Sequence, residues 1–448
     1  MSESYLISNV TVVNEGEKFI GSIGVSNGKI ERIYTTTTPS AKAYDKIIDG
    51  TGKHLFPGII DDHVHFREPG LTHKADINTE SKAAIAGGIT SFMEMPNTIP
   101  QATTQKLLEE KYTLAADKSL ANYSFYLGAT NDNISEVLKT DPTKVCGIKL
   151  FMGSSTGNML VDNTTSLENI FSQCPMLIAV HCEDEKTIQK NTKLAKEKYG
   201  DTPPFSVHQE IRSTEACYIS SSLAIKTAKK YNSRLHLLHL TTAKELELLD
   251  NSVPLKEKRI TGEACVHHLW FSDKDYHEKQ WRIKWNPAIK TTADRDGLIE
   301  GVLSNKIDVI ATDHAPHLET EKQKTYFEAP SGGPSIQHSL VAMLDLYHNN
   351  KISLEKIVEK MCHAPADCFS IKNRGFIREG YNADLVLIDL EKSWRVEKGN
   401  ILSKCNWSPF EGHTFKSSIT HTFVNGHLVY KNGIFNEEKK GDRLMFNR

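Results

Sequence analysis

His63 and His65 stand two residues apart in Asp62-His-Val-His-Phe-Arg-Glu-Pro-Gly70, directly after the apolar run Phe56-Pro-Gly-Ile-Ile60. On an extended backbone, positions two apart face the same side, so both imidazoles point one way. Two neutral imidazoles at that spacing can hold one metal ion. Arg67 lies two further on, and on a continuing strand its guanidinium joins them. Pro69-Gly70 then turns the chain. Metal ligands and an anion-binding guanidinium at one strand end predict a site. A lone His-x-His also arises by chance at exposed strand ends, so the reading depends on other residues answering it.

Four others do. Lys149 lies in Gly147-Ile-Lys-Leu-Phe-Met152, and His181 closes the run in Ala179-Val-His-Cys182. His239 sits near the end of Leu235-His-Leu-Leu-His-Leu240, and Asp313 opens Asp313-His-Ala-Pro-His317. Four imidazoles and an aspartate can hold one or two zinc-like ions. Two neighbouring cations need a bridging anion, which a lysine ammonium is not. His236 competes with His239 as the ligand from its run, and His239 lies nearer the end. His267 and His268 read as core or supporting residues. Cys182, with no base at nucleophile spacing, reads as a packed thiol.

These residues require a scaffold that gathers many strand ends. From Leu55 onward, strand-like runs alternate with helical patterns such as Thr104–Lys118 and Glu210–Tyr231. The runs are Leu55–Ile60, Thr90–Met95, Tyr123–Leu127, Gly147–Met152, Met176–Val180, Leu235–Leu240, Ile260–Val266 and Asp308–Thr312. Eight such units predict a (β/α)8 TIM barrel over residues 55–374, with reactive residues at the C-terminal strand ends. A doubly wound sheet is the alternative, but no glycine-rich phosphate loop follows the first strand. Residues 1–54 read as short strands, Tyr5–Val13, Ile20–Val25 and Lys29–Tyr34, with a hairpin turn at Asn27-Gly28. Residues 375–448 return to strands at Asn382–Asp389 and to a hairpin, His421–Tyr430, around Asn425-Gly426. The two flanks are expected to pair into one small β domain built from both termini. Gly441–Arg448 is too short to assign.

The 54 basic and 56 acidic residues give a formal net charge of -2, which offers no electrostatic case for nucleic acid or an anionic membrane. No segment approaches a membrane span of about 20 apolar residues, and the N-terminus lacks the pattern of a secretory leader. The eight cysteines are scattered without a Cys-x-x-Cys pair, so the expectation is a soluble protein of a reducing cytoplasm.

Taken together, Asp62–Gly70, Glu94-Met-Pro-Asn97, Gly147–Ser155, Val180-His-Cys-Glu183 and Thr312–His317 resemble the amidohydrolase superfamily, and within it the dihydroorotases. The resemblance covers nearly the whole chain and implies a composite β-sandwich beside the barrel. It also implies two zinc ions per subunit, one held by His63, His65 and Asp313, the other by His181 and His239. Lys149, modified to N6-carboxylysine, would bridge them together with a hydroxide. The implied reaction is reversible interconversion of N-carbamoyl-L-aspartate with L-dihydroorotate and water, as in pyrimidine (UMP) biosynthesis. The bridging hydroxide would attack the ring amide carbonyl, and Asp313 would carry the proton to the departing nitrogen. A homodimer is the family expectation.

Arg67 bears on the substrate. Dihydroorotate carries a free carboxylate, which a bidentate guanidinium matches, whereas uracil-type and hydantoin-type rings do not. The resemblance implies that Asn97 and His317 complete the clamp. Asn286 is a further candidate to bond the ring, as are backbone groups of Gly332-Gly333-Pro334, with Gly333 at the centre. The alternatives are another cyclic amidohydrolase, an allantoinase or dihydropyrimidinase, and a non-catalytic amidohydrolase-like scaffold.

Overall fold

The computed structural model describes residues 3–35, 43–153 and 159–448. Ser154 and Ser155, which close the lysine motif, lie outside the described residues, as do Met1 and Ser2.

A ring of eight parallel strands carries the site. They are Ile59–Val64, Ile89–Glu94, a divided third strand, Ile148–Phe151, Leu177–His181, Arg234–Leu237, Ile260–Cys265 and Val309–Ala311. The third divides at Tyr126: Asn122–Phe125 pairs with the second strand, and Leu127–Gly128 pairs with the fourth. A parallel bridge from Val64 to His314, with His65 N–H donating to the His314 carbonyl at 2.7 Å, closes the ring. Both faces of such strands are covered, by helices outside and side chains within, so they read as continuous apolar runs rather than alternating ones. The barrel expected from the sequence is the fold observed.

Two sequence-derived elements shift. Leu55 and Phe56, expected in the first barrel strand, belong to His54–Pro57, which pairs with Leu385–Asp389 and Tyr5–Asn14 in the outer sheet. Gly58 marks the switch, since a Cβ there would meet the Thr90 hydroxyl at 2.0 Å. The Glu210–Tyr231 helix is broken: His208–Ile211 ends at Arg212, and Ser213 caps a new helix, Thr214–Tyr231, by accepting from Ala216 N–H. Thr104–Lys118 appears as expected, with Thr104 as the cap of Gln105–Lys118.

The outer sheet has nine strands and draws on both termini. Its hairpins turn at Asn27-Gly28 and Asn425-Gly426, all four residues at positive φ. That pair of left-handed residues is what a two-residue turn between right-twisted strands requires. Not all of the C-terminal region joins this sheet. Between Asp389 and Ser418 the chain crosses to the barrel end that carries His317: Trp407 Nε1 donates to the His317 carbonyl (2.8 Å), and Ser403 Oγ donates to Glu80 (2.7 Å). Gly441–Arg448 runs back along the barrel, with Leu444 N–H on the Tyr123 carbonyl and the Arg448 guanidinium on the carbonyls of Cys146 and Phe369.

Candidate metal centre and active site

Asp61 fixes the relation between the first and last barrel strands. Its carboxylate accepts from His63 N–H (3.2 Å), Thr312 N–H (3.2 Å) and Thr312 Oγ1 (2.6 Å). His63 and Asp313 are thereby held in register. His63 Nε2 lies 3.3 Å, and His65 Nε2 3.2 Å, from the same Asp313 oxygen. The other nitrogen of each ring is engaged behind. His63 Nδ1 donates to Glu263 (3.0 Å), and His65 Nδ1 faces Asn97 Oδ1 (2.7 Å). Burial opposes charge on the His63 ring, but Glu263 at one nitrogen and Asp313 at the other outweigh it and raise its pKa above the ordinary value.

Across the cavity, His181 Nε2 donates to Glu183 (3.0 Å), which Arg212 also grips. The His181 Nδ1 lone pair then faces His239 Nε2 at 2.8 Å. The donors of His63, His65 and Asp313 lie within 4.8 Å of one another, suited to one ion. His181 and His239 converge as a second pair. Three of the four imidazoles have the rear nitrogen bonded, the arrangement by which ligating histidines are normally oriented. The donor set therefore fits a metal centre.

Lys149, in the fourth strand beside Ala179, is buried, and desolvation lowers its amine to about 7. Burial opposes charge on Asp313, but His63 and His65 outweigh it and hold this carboxyl well below its usual range. Arg67, His239 and Asp313 all have positive φ, +69°, +39° and +43°. Side-chain-bearing residues adopt this region only when their surroundings force it. Their clustering here sets the site apart from ordinary strand ends.

A cavity of about 330 Å³ is lined by His63, His65, Lys149, His181, His239 and Asp313 together with Arg67, Asn97, Asn286 and His317. Arg67 donates from Nε to the Pro316 carbonyl (3.0 Å), and its Nη2 lies 3.0 Å from His317 Nε2. Asn286 is next to a buried Trp285 and keeps an unbonded side-chain oxygen. Gly333 departs from expectation. Gly332 lines the cavity, whereas the Gly333 carbonyl accepts from Ala315 N–H, and a Cβ on Gly333 would strike Trp285 and Trp407. Gly333 is therefore closely packed behind the residues that line the cavity.

His236 lies behind the cavity wall. Its Nε2 is 3.0 Å from Asp62 and its Nδ1 2.7 Å from Thr261 Oγ1. His268 bonds the Pro287 carbonyl, and His267 stacks on Trp285 at 4.5 Å. Cys182 is buried, its thiol pushed up to about 12 by burial, so it is inert. Sequence reasoning missed Glu263, whose carboxylate binds both the His63 ring and the His239 backbone N–H (2.9 Å). It also missed Glu183, although that residue stands two positions after His181 in a motif already singled out.

Residues 54–429 match the amidohydrolase family, to which this chain belongs; it is a hydrolase acting on cyclic amide C–N bonds. Dihydroorotases from Methanosphaera stadtmanae and Pyrococcus abyssi are each 32% identical to it. The alignments cover 94% and 95% of this chain and 96% and 95% of those proteins. Among solved structures, L-hydantoinase (dihydropyrimidinase) from Arthrobacter aurescens is similar with a TM-score of 0.92 at 25% identity, covering both chains in full. D-hydantoinase from a Bacillus sp. AR9, 20% identical, shares the fold with a TM-score of 0.86 over 99% of this chain and 100% of its own. Among the described residues, no helix is long and apolar enough to cross a membrane.

Proposed function

We propose that this hydrolase is a zinc-dependent dihydroorotase, interconverting N-carbamoyl-L-aspartate with L-dihydroorotate and water in pyrimidine synthesis. The observation that carries this reading is Arg67, whose guanidinium lines the same cavity as the six metal-site residues. With Nε committed to Pro316, its outer nitrogens remain to take a carboxylate. Asn97 commits its oxygen to His65 and keeps its NH2 as a donor. The dihydroorotases at 32% identity support the same substrate.

His63, His65 and Asp313 would hold one zinc ion, His181 and His239 a second, with Lys149 as N6-carboxylysine between them. The buried, partly neutral Lys149 amine suits carbon dioxide capture. Bound zinc supplies a nucleophilic hydroxide at neutral pH and polarises the carbonyl under attack. Asp313, kept ionised by the two imidazoles, accepts the proton released in the attack and returns it to the departing ring nitrogen. Arg67, Asn97 and His317 hold the ring by its carboxylate, and Asn286 faces the ring itself. The enzyme would work in the cytoplasm as a homodimer.

The similarity to L-hydantoinase favours a second reading, turnover of an uncharged ring. The two separate in one experiment. Zinc-loaded protein with bicarbonate is assayed on L-dihydroorotate, allantoin, dihydrouracil and hydantoin. Turnover of dihydroorotate alone, abolished by Arg67→Ala with metal retained, is the expected result; turnover of an uncharged ring instead refutes the substrate assignment.

A further inference from the structure

Resting on the dihydroorotase reading, we propose that Lys74 is a positioning residue that makes His317 a hydrogen-bond donor to the substrate carboxylate, beside Arg67. Lys74 lies outside the metal-lined cavity, in an adjoining hollow of about 520 Å³ that shares Arg67, Asn97 and His317 with it. Its Nζ is 3.0 Å from His317 Nδ1. The far nitrogen of the same ring, Nε2, is 3.0 Å from Arg67 Nη2 and 3.1 Å from the Ser331 carbonyl.

This imidazole stands between two cations and has one lone pair to offer them. An ammonium has only donors, so where Lys74 faces Nδ1 the lone pair is there and the ring proton is on Nε2. The opposite tautomer would set the Nδ1 proton against Lys74. Glu321 fixes the choice. It pairs with Lys74 at 3.2 Å, keeping the ammonium charged, while its nearest approach to His317 Nδ1 is 3.7 Å, beyond hydrogen-bond reach. Until substrate binds, the His317 N–H has the Ser331 carbonyl as its acceptor, which an incoming carboxylate shares or replaces, and Arg67 Nη2 gains no acceptor from the ring. Two donors converge 3.0 Å apart, and among the described residues no acceptor is shared by both. A carboxylate with two oxygens completes that arrangement, and a ring lacking one does not.

The test has two readouts. Imidazole nitrogen NMR of histidine-labelled enzyme, assigned against His317→Gln, gives the His317 tautomer directly. The Nε2–H form is expected in the unmodified enzyme, with the Nδ1–H form in Lys74→Met and the Nε2–H form restored in Lys74→Arg. In steady-state kinetics, loss of one charge-assisted hydrogen bond predicts that Lys74→Met raises KM for dihydroorotate about 10-fold to 100-fold. Its kcat is expected to stay within about 3-fold, because uniform binding rather than transition-state contact is lost. The inhibition constant of dihydrouracil, used as a competitor, should not move. An Nδ1–H His317 in the unmodified enzyme, or an equal loss in the inhibition constant of dihydrouracil, overturns the inference. Absence of dihydroorotate turnover in the unmodified enzyme would instead overturn the substrate reading, while the spectrum still decides the tautomer.

Discussion

Lys111→Met tests how the loop between His65 and Arg67 is held. Lys111 and Glu94 are both fully buried and face each other at 3.0 Å. Glu94 also accepts from Phe66 N–H at 2.9 Å, and Phe66 lies between His65 and Arg67, both of which line the cavity. Methionine preserves the volume and removes the charge, leaving a carboxyl in an apolar interior. Breaking a buried pair from one side costs about 3–5 kcal/mol. The lone Glu94 escapes part of this by taking up a proton. Burial already pushes its carboxyl above the ordinary 4.5 while Lys111 is present. In the variant, the folded state then binds one proton more than the unfolded state above that value. Stability falls as pH rises, by about 1.4 kcal/mol per unit. The deficit relative to the unmodified protein should therefore shrink between pH 7 and pH 5.5, by at most about 2 kcal/mol. Guanidinium unfolding midpoints at the two pH values, for Lys111→Met, Glu94→Gln and the double variant, measure it. The double variant should be more stable at pH 7 than Lys111→Met. A Lys111→Met deficit that ignores pH, or a double variant no better than the single one, would refute an uncompensated buried carboxylate.

Glu263→Gln keeps an acceptor for His63 and the His239 backbone but removes the charge, so zinc affinity in a chelator competition should fall about 10-fold to 100-fold. Gly70→Ala places a Cβ 2.0 Å from the Ile99 carbonyl at a φ of +83°, two residues from Asn97. The resulting shift should lower kcat/KM by about 100-fold, with zinc content unchanged. His338 is buried against Trp394 and Phe415, and burial lowers its pKa to about 3. Its folded value lies below the ordinary 6.5, so the stability it contributes is present above 6.5 and lost as pH falls toward 3. Unfolding free energy should drop by about 2 kcal/mol from pH 6.5 to pH 4.5 through this group, and His338→Phe should remove that part of the slope.

The barrel was legible because each parallel strand is a short apolar run, and that pattern survives without knowledge of partners. The residues proposed as metal ligands could be picked out because each interrupts such a run at its end, and the fold gathers them around one cavity. Two limits have physical causes. Leu55–Ile60 reads as one strand, since composition does not register that the chain changes sheets at Gly58, where backbone and Thr90 leave room only for hydrogen. The choice between His236 and His239 turns on a left-handed residue, for the strand ends at Leu237 and the backbone at His239 swings its ring into the cavity. Glu263 stands 200 positions from His63, so no local spacing announces their bond. The tautomer of His317 depends on Lys74, Ser331 and Glu321 from separate segments, and only the folded chain assembles them.

The segment between Asp389 and Ser418 has a consequence for the order in which the protein is made. A ribosome finishes the eighth barrel strand at Ala311, with every metal-site residue but Asp313 already emerged or emerging. Trp407, which holds the His317 carbonyl, and Ser403, which holds Glu80 behind His314, are translated roughly a hundred residues later. The nascent barrel can therefore gather the imidazoles of the proposed metal site before Arg67 and His317 have all of their supports. If the proposed site holds, metal capture and carboxylate recognition would mature at different moments of synthesis, the second only after the chain has returned from the outer sheet to the mouth of the barrel.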